Sequence, residues 1–119
     1  MLKDGLYTIE RLDAQGDSAL VCVRLNTSHA IYQGHFPGHP ITPGVCLLQT
    51  AKELLSYITH KEYSIVSCKN IKYLNIIDPM VHPVVAYQLQ WSAEGNGVKL
   101  KASIVEGDLV FSKMSMELE

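Results

Sequence analysis

Between His35 and Val45 the chain reads His35-Phe36-Pro37-Gly38-His39-Pro40-Ile41-Thr42-Pro43-Gly44-Val45, with two histidines, three prolines and two glycines in one short stretch. Proline locks φ and removes a donor, and glycine opens backbone conformations closed to other residues. Neither a helix nor a strand can run through such a segment. It predicts a stiff loop that ends where an apolar helical pattern begins. Thr42 reads as an N-cap with Pro43 at the first helical position. Leu47, Leu48, Ala51, Leu54, Leu55 and Ile58 then recur at helical spacing, forming one stripe on a helix of about four turns that ends near Thr59 and His60. Gln49 falls roughly opposite the stripe, and it is expected to face solvent or another surface.

Strand patterns flank this helix. Residues 5–11 can form a short first strand. In 18–25, Ala19, Val21, Val23 and Leu25 alternate with Leu20, Cys22 and Arg24, a period of two. Asn26 to Ile41 reads as structured loop. Residues 63–77 predict one long or broken strand, interrupted by Asp78-Pro79-Met80-Val81-His82-Pro83. Val85, Tyr87, Leu89 and Trp91 alternate with Val84, Ala86, Gln88 and Gln90. Glu94-Gly95-Asn96-Gly97 signals a hairpin. Val98, Leu100, Ala102 and Ile104 alternate with Lys99, Lys101 and Ser103, and Gly107-Asp108 turns the chain into 109–118. An α+β domain over 1–119, an antiparallel sheet wrapped on one central helix, accounts for this order.

Composition narrows the function. At 119 residues with 47% hydrophobic side chains, the chain suits one core. Only 18% of residues are charged, so part of the surface is expected to be buried in a dimer. A net charge of −2 disfavours a nucleic-acid surface. No apolar run approaches the roughly 18 residues of a membrane span. Met1-Leu2-Lys3-Asp4-Gly5 carries no apolar signal core, so the expectation is a cytoplasmic protein. Cys22, Cys46 and Cys68 are odd in number and lack a C-x-x-C, which suggests buried reduced thiols. Cys46 sits in the first predicted helical turn, where a thiol pKa can fall, but packing is the expected role.

His35 is the main candidate acid/base, since an imidazole titrates near neutrality. His35 and His39 are four apart, but Pro37, Gly38 and Pro40 forbid a helix there, so the spacing carries no metal meaning. No metal or other cofactor is expected. His29, His60 and His82 read as surface or loop residues. Tyr32 suits either a substrate-tunnel mouth or the core, and Met114 and Met116 suit packing. Lys69 and Lys72 can steer an acidic partner or simply face solvent.

The run Gly34-His35-Phe36-Pro37-Gly38-His39-Pro40-Ile41-Thr42-Pro43-Gly44-Val45, preceded by Ile31-Tyr32, resembles the loop of the 3-hydroxyacyl-acyl-carrier-protein dehydratases. Those proteins have the hotdog fold. The likeness is dense across about 31–48, and the strand–loop–helix–strands order agrees along the whole chain. The resemblance implies a dimer whose two sheets join, with an acyl tunnel at the interface. In the family, a histidine of one subunit faces a Glu or Asp on the other subunit's helix. His35 matches that histidine. Gly44 matches the residue whose N–H receives the thioester carbonyl, with Val45, Tyr32 and Phe36 as further substrate contacts. The acidic position, fourteen residues after His35, is Gln49, which departs from the pattern.

Dehydration needs a base for the C2 proton, donors for the enolate oxygen and an acid for the C3 hydroxyl. His35 can be the base, and the free N–H groups of a helix start can hold the oxyanion. Gln49 donates a hydrogen bond but no proton. Three readings follow. His35 does both proton transfers; or a related second hotdog subunit supplies a carboxylate; or the chain is a non-catalytic, acyl-binding half. A hotdog thioesterase is the rival enzyme. The implied partners are an acyl carrier protein and a second hotdog subunit, the same or different.

Overall fold

The computed structural model describes residues 1–33 and 40–119. In chain order these form β1 (Tyr7–Gln15), β2 (Ser18–Leu25), a 3₁₀ turn (Ala30–Tyr32), α1 (Gly44–Thr59), β3 (Ile65–Tyr73), β4 (Val84–Glu94), β5 (Gly97–Glu106) and β6 (Leu109–Leu118). The strands make one sheet in the order β1-β2-β4-β5-β6-β3, with every pairing antiparallel.

Period-two alternation decides which face of each strand is covered. Ala19, Val21, Val23 and Leu25 of β2 are buried, as are Val85, Tyr87 and Leu89 of β4 and Leu100, Ala102 and Ile104 of β5. Met114, Met116 and Leu118 of β6 join them, so these methionines are packing residues. All share one core with Leu47, Ala51, Leu54 and Leu55 of α1. Leu48 and Ile58 lie at its margin, half-buried. The sheet therefore folds its apolar face over the helix stripe, because each apolar side chain removed from water contributes about 1.5–3 kcal/mol.

Turn chemistry sets the register. Gly95 and Asn96 alone link β4 to β5, and Gly95 has φ +60°, a value that a side-chain-bearing residue adopts at a steric cost. At the far end of α1, His60 takes the left-handed conformation at φ 58°, and its N–H closes on the Ser56 carbonyl. The helix stops there, as expected.

Some boundaries differ from the sequence expectation. The first strand runs from Tyr7 to Gln15 rather than 5–11, because β2 continues to pair with it as far as Gln15. The run 63–77 is strand only to Tyr73. Beyond it, the Leu74 and Asn75 N–H groups both donate to the Phe111 carbonyl, and the ladder ends. Thr42 is not the N-cap. Pro43 takes that position in an extended conformation, with no side-chain cap, and Gly44 is the first helical residue. The Thr42 hydroxyl is spent elsewhere, at 2.9 Å from that of Tyr32.

Candidate active site

The start of α1 is chemically open. The first helical N–H groups with backbone partners are those of Cys46 and Leu47, which both reach the Pro43 carbonyl. Among the described residues, the Gly44 and Val45 N–H groups have no partner. The first turn holds no acidic side chain. An uncapped, uncompensated helix N-terminus presents free donors and the positive end of the helix dipole.

Beside it lies a cavity of about 270 Å³ whose wall includes Ile41, Pro43, Gly44, Leu47, Tyr73 and Ile77. Larger grooves exist, one of about 910 Å³ along β1, β2 and β4 and one of about 450 Å³ between the N-terminus and the end of α1. Neither contains the helix start.

The expected site residues meet different fates. Gly44 sits at the cavity, its N–H without a partner among the described residues. The Val45 side chain is 70% exposed, so only its backbone can serve the site. Tyr32 is buried in the core and is not part of the cavity wall. Burial pushes its phenol up, and its hydroxyl is held by Thr42. That bond joins residues on either side of the 34–39 stretch. His35 and Phe36, within that stretch, lie outside the described residues.

Gln49 does not simply face solvent. It is half-buried, and its Nε2 donates to Glu53 Oε2 at 2.8 Å, one turn along α1. Glu53 is 4% exposed and accepts four groups. Leu2 N–H donates to both oxygens (3.0 and 2.8 Å), Lys3 N–H to Oε1 (2.9 Å) and the Tyr7 hydroxyl to Oε1 (3.0 Å), beside the Gln49 amide. Burial alone would raise the Glu53 pKa; these donors outweigh it and hold the carboxyl below its usual range. Burial and the neighbouring Glu53 charge push the Tyr7 phenol strongly upward. Glu53 is thus an ionised anchor for the N-terminal segment, and its bonds fix one end of the Gln49 amide.

Sequence reasoning passed over Glu53. Glu53 lies one turn after Gln49, on the same side of the helix and away from the apolar stripe, so local periodicity carried no sign that it would be buried. Replacing Glu53 with alanine strands buried donors and is expected to cost about 1–3 kcal/mol in urea unfolding. The folded pKa is depressed, so the carboxylate contributes stability above the ordinary glutamate pKa. That contribution is lost as pH falls through the folded value. Glu53→Gln should therefore flatten this part of the acid unfolding profile; an unchanged profile would show that Glu53 is not the anchor.

The other candidates resolve plainly. Burial raises the Cys46 thiol pKa, overriding the helix start, so the residue packs rather than reacts. Lys69 pairs with Glu117 at 3.3 Å, and Lys72 is exposed. His29 Nδ1 accepts the Ile31 N–H and caps the 3₁₀ turn. His82 lies 3.1 Å from Glu106 and edge-on to Phe111. Among the described residues no group of three His, Cys, Asp or Glu converges as a metal site. No described helix is long and apolar enough to cross a membrane.

An antiparallel sheet curled over one central helix defines the hotdog class of proteins, and solved structures bear out that class. The chain overlays a chain of the dehydratase heterocomplex ApeI:P from Xenorhabdus doucetiae with a TM-score of 0.75, at 16% identity over 94% of this chain and 96% of that one. It also overlays a hypothetical thioesterase protein with coenzyme A from Streptococcus pneumoniae TIGR4, with a TM-score of 0.65, at 14% identity over 98% and 89%. Within the class, the model of the ApeI-like family, described as ApeI dehydratase, matches residues 11–114, and the chain belongs to that family.

Two curated relatives are 3-hydroxyacyl-[acyl-carrier-protein] dehydratases FabZ. The one from Myxococcus xanthus is 29% identical over 70 residues, 59% of this chain and 44% of the relative. The one from Lactiplantibacillus plantarum is 27% identical over 71 residues, 54% of this chain and 48% of the relative. The chain spans about half the length of the curated relatives it matches.

Proposed function

We propose that this protein dehydrates a 3-hydroxyacyl thioester, carried on an acyl carrier protein, to the trans-2-enoyl thioester. One observation carries the reading: at an uncapped helix start the Gly44 and Val45 N–H groups have no partner among the described residues, and Gly44 lines a largely apolar cavity, a few residues after His35 in the sequence. The donors suit an oxygen that gains negative charge, and the apolar wall suits an alkyl or alkenyl chain.

The steps follow from the groups present. The thioester carbonyl sits against the Gly44 N–H. His35 removes the C2 proton, and charge builds on the carbonyl oxygen. The C2 electron pair then forms the C2–C3 double bond while the C3–O bond breaks. The imidazolium of His35 returns the proton to the leaving hydroxide, which departs as water. Gln49 has one amide hydrogen committed to Glu53, which leaves its Oε1 and a second N–H to hold the hydroxyl or the departing water.

A second hotdog subunit completes the site in this reading. Val45, Leu74, Ile76, Met80 and Val81 are all exposed apolar residues around the helix start and the chain that leaves β3, itself an edge strand. They supply the surface such a partner would cover.

The test is incubation of the purified protein with an enoyl thioester of pantetheine or of acyl carrier protein. Loss of enoyl absorbance with no release of free thiol is expected. Free thiol in place of hydration would assign a thioesterase. Silence of the chain alone, with activity beside a homologous hotdog protein, would assign a supporting subunit.

A further inference from the structure

The wall of the cavity contains two hydroxyls with no assigned work. We infer that the hydroxyl of Tyr73 is a second donor to the thioester carbonyl, beside the Gly44 N–H; this rests on the dehydratase reading above. Tyr73 closes β3, and its side chain reaches back over the start of α1. A Cβ added at Gly44 would lie 2.5 Å from Tyr73 Oη, 2.6 Å from Cζ and 2.9 Å from Cε1. Any side chain at position 44 would push the phenol away, so glycine there admits the ring. The phenol oxygen thus packs against the side-chain side of Gly44, the residue whose N–H is at the helix start.

Tyr73 Oη makes no hydrogen bond among the described residues, and the residue is 54% exposed, so its hydroxyl is available to a ligand. A second observation points the same way. Ser112 pairs with Tyr73 across β3 and β6 and lines the same cavity. It is fully buried, and its Oγ has no partner among the described residues. Buried hydroxyls are normally satisfied by protein, water or ligand. A polar wall opposite an apolar one is what an acyl thioester needs: oxygen on one side, chain on the other.

As His35 takes the C2 proton, the carbonyl oxygen gains charge and shortens its bonds to donors. An N–H and an O–H converging on one oxygen stabilise that charge more than the ground state, which lowers the barrier. The phenol keeps its proton throughout and the atoms balance as before.

Tyr73→Phe keeps the ring and deletes the donor; Tyr73→Ala deletes both. Tyr73→Phe is expected to lower kcat for enoyl thioester hydration about tenfold with little change in KM. The carbonyl stretch of a bound, unreactive acyl-pantetheine thioester should move back toward its frequency in water. Wild-type kcat and an unshifted stretch in Tyr73→Phe, with Tyr73→Ala alone impaired, would make Tyr73 a steric cover and overturn the inference. A wild-type protein that hydrates no enoyl thioester, alone or with a homologue, would instead remove the dehydratase reading, and the donor role with it.

Discussion

His35→Ala is expected to lower hydration of an enoyl thioester by about 10²–10⁴-fold, the usual cost of losing a general acid–base. The cavity at the start of α1 explains why so much rests on one side chain. Among the described residues its wall, which includes Ile41, Pro43, Gly44, Leu47, Tyr73 and Ile77, holds no carboxylate, imidazole or amine. His35 precedes α1 in the sequence, and it is the residue proposed as the base on the resemblance of its motif to that of the dehydratases. The Tyr32–Thr42 bond joins the described residues on either side of His35. Turnover is read from enoyl absorbance, with binding of an unreactive acyl thioester measured in parallel. Retained binding with lost turnover is the expected pair. Undiminished turnover would end the role proposed for His35.

Gln49→Glu is expected to raise kcat by about 10–100-fold if the chain works with a second copy of itself. The reason lies in Glu53. The Gln49 amide already sits 2.8 Å from a buried, ionised carboxylate whose other lone pairs are filled. A second carboxyl placed there cannot ionise beside it without strong repulsion, so the pair retains a proton near neutrality. That proton would give the leaving hydroxyl an acid of its own, in place of the one that His35 returns in the proposed mechanism. The new rate should fall again at alkaline pH, where the pair loses its proton, and a pH–rate profile reads this limb. A variant that folds, binds the thioester and gains nothing would exclude the homomeric site. If mixing the natural chain with a homologous hotdog protein then restores turnover, the carboxylate comes from that partner.

The motif around His35 was legible because proline and glycine act locally: they exclude helix and strand whatever surrounds them. The burial of Val21, Val23, Tyr87, Leu89, Leu100 and Ile104 was legible for a related reason. Side chains two apart must share a face, and an apolar face must be covered. Single residues at element ends were less so. Thr42 had the chemistry of a cap, but its hydroxyl found Tyr32 in the core, a competition that no local pattern describes.

What the amino-acid order determined by itself was the helix stripe, the hairpins and the order of a sheet wrapped on one helix, each written in spacings of a few residues, and the motif whose resemblance to the dehydratases implied the hotdog fold. What only the tertiary structure decided was the setting of the chemistry. Glu53 collects Leu2, Lys3 and Tyr7 from 46 to 51 residues away and thereby holds Gln49. Tyr73 comes to rest on Gly44 because β3 pairs with β6 at the sheet edge beside the helix start. Such contacts depend on where the folded sheet carries distant segments, and local periodicity holds no record of that.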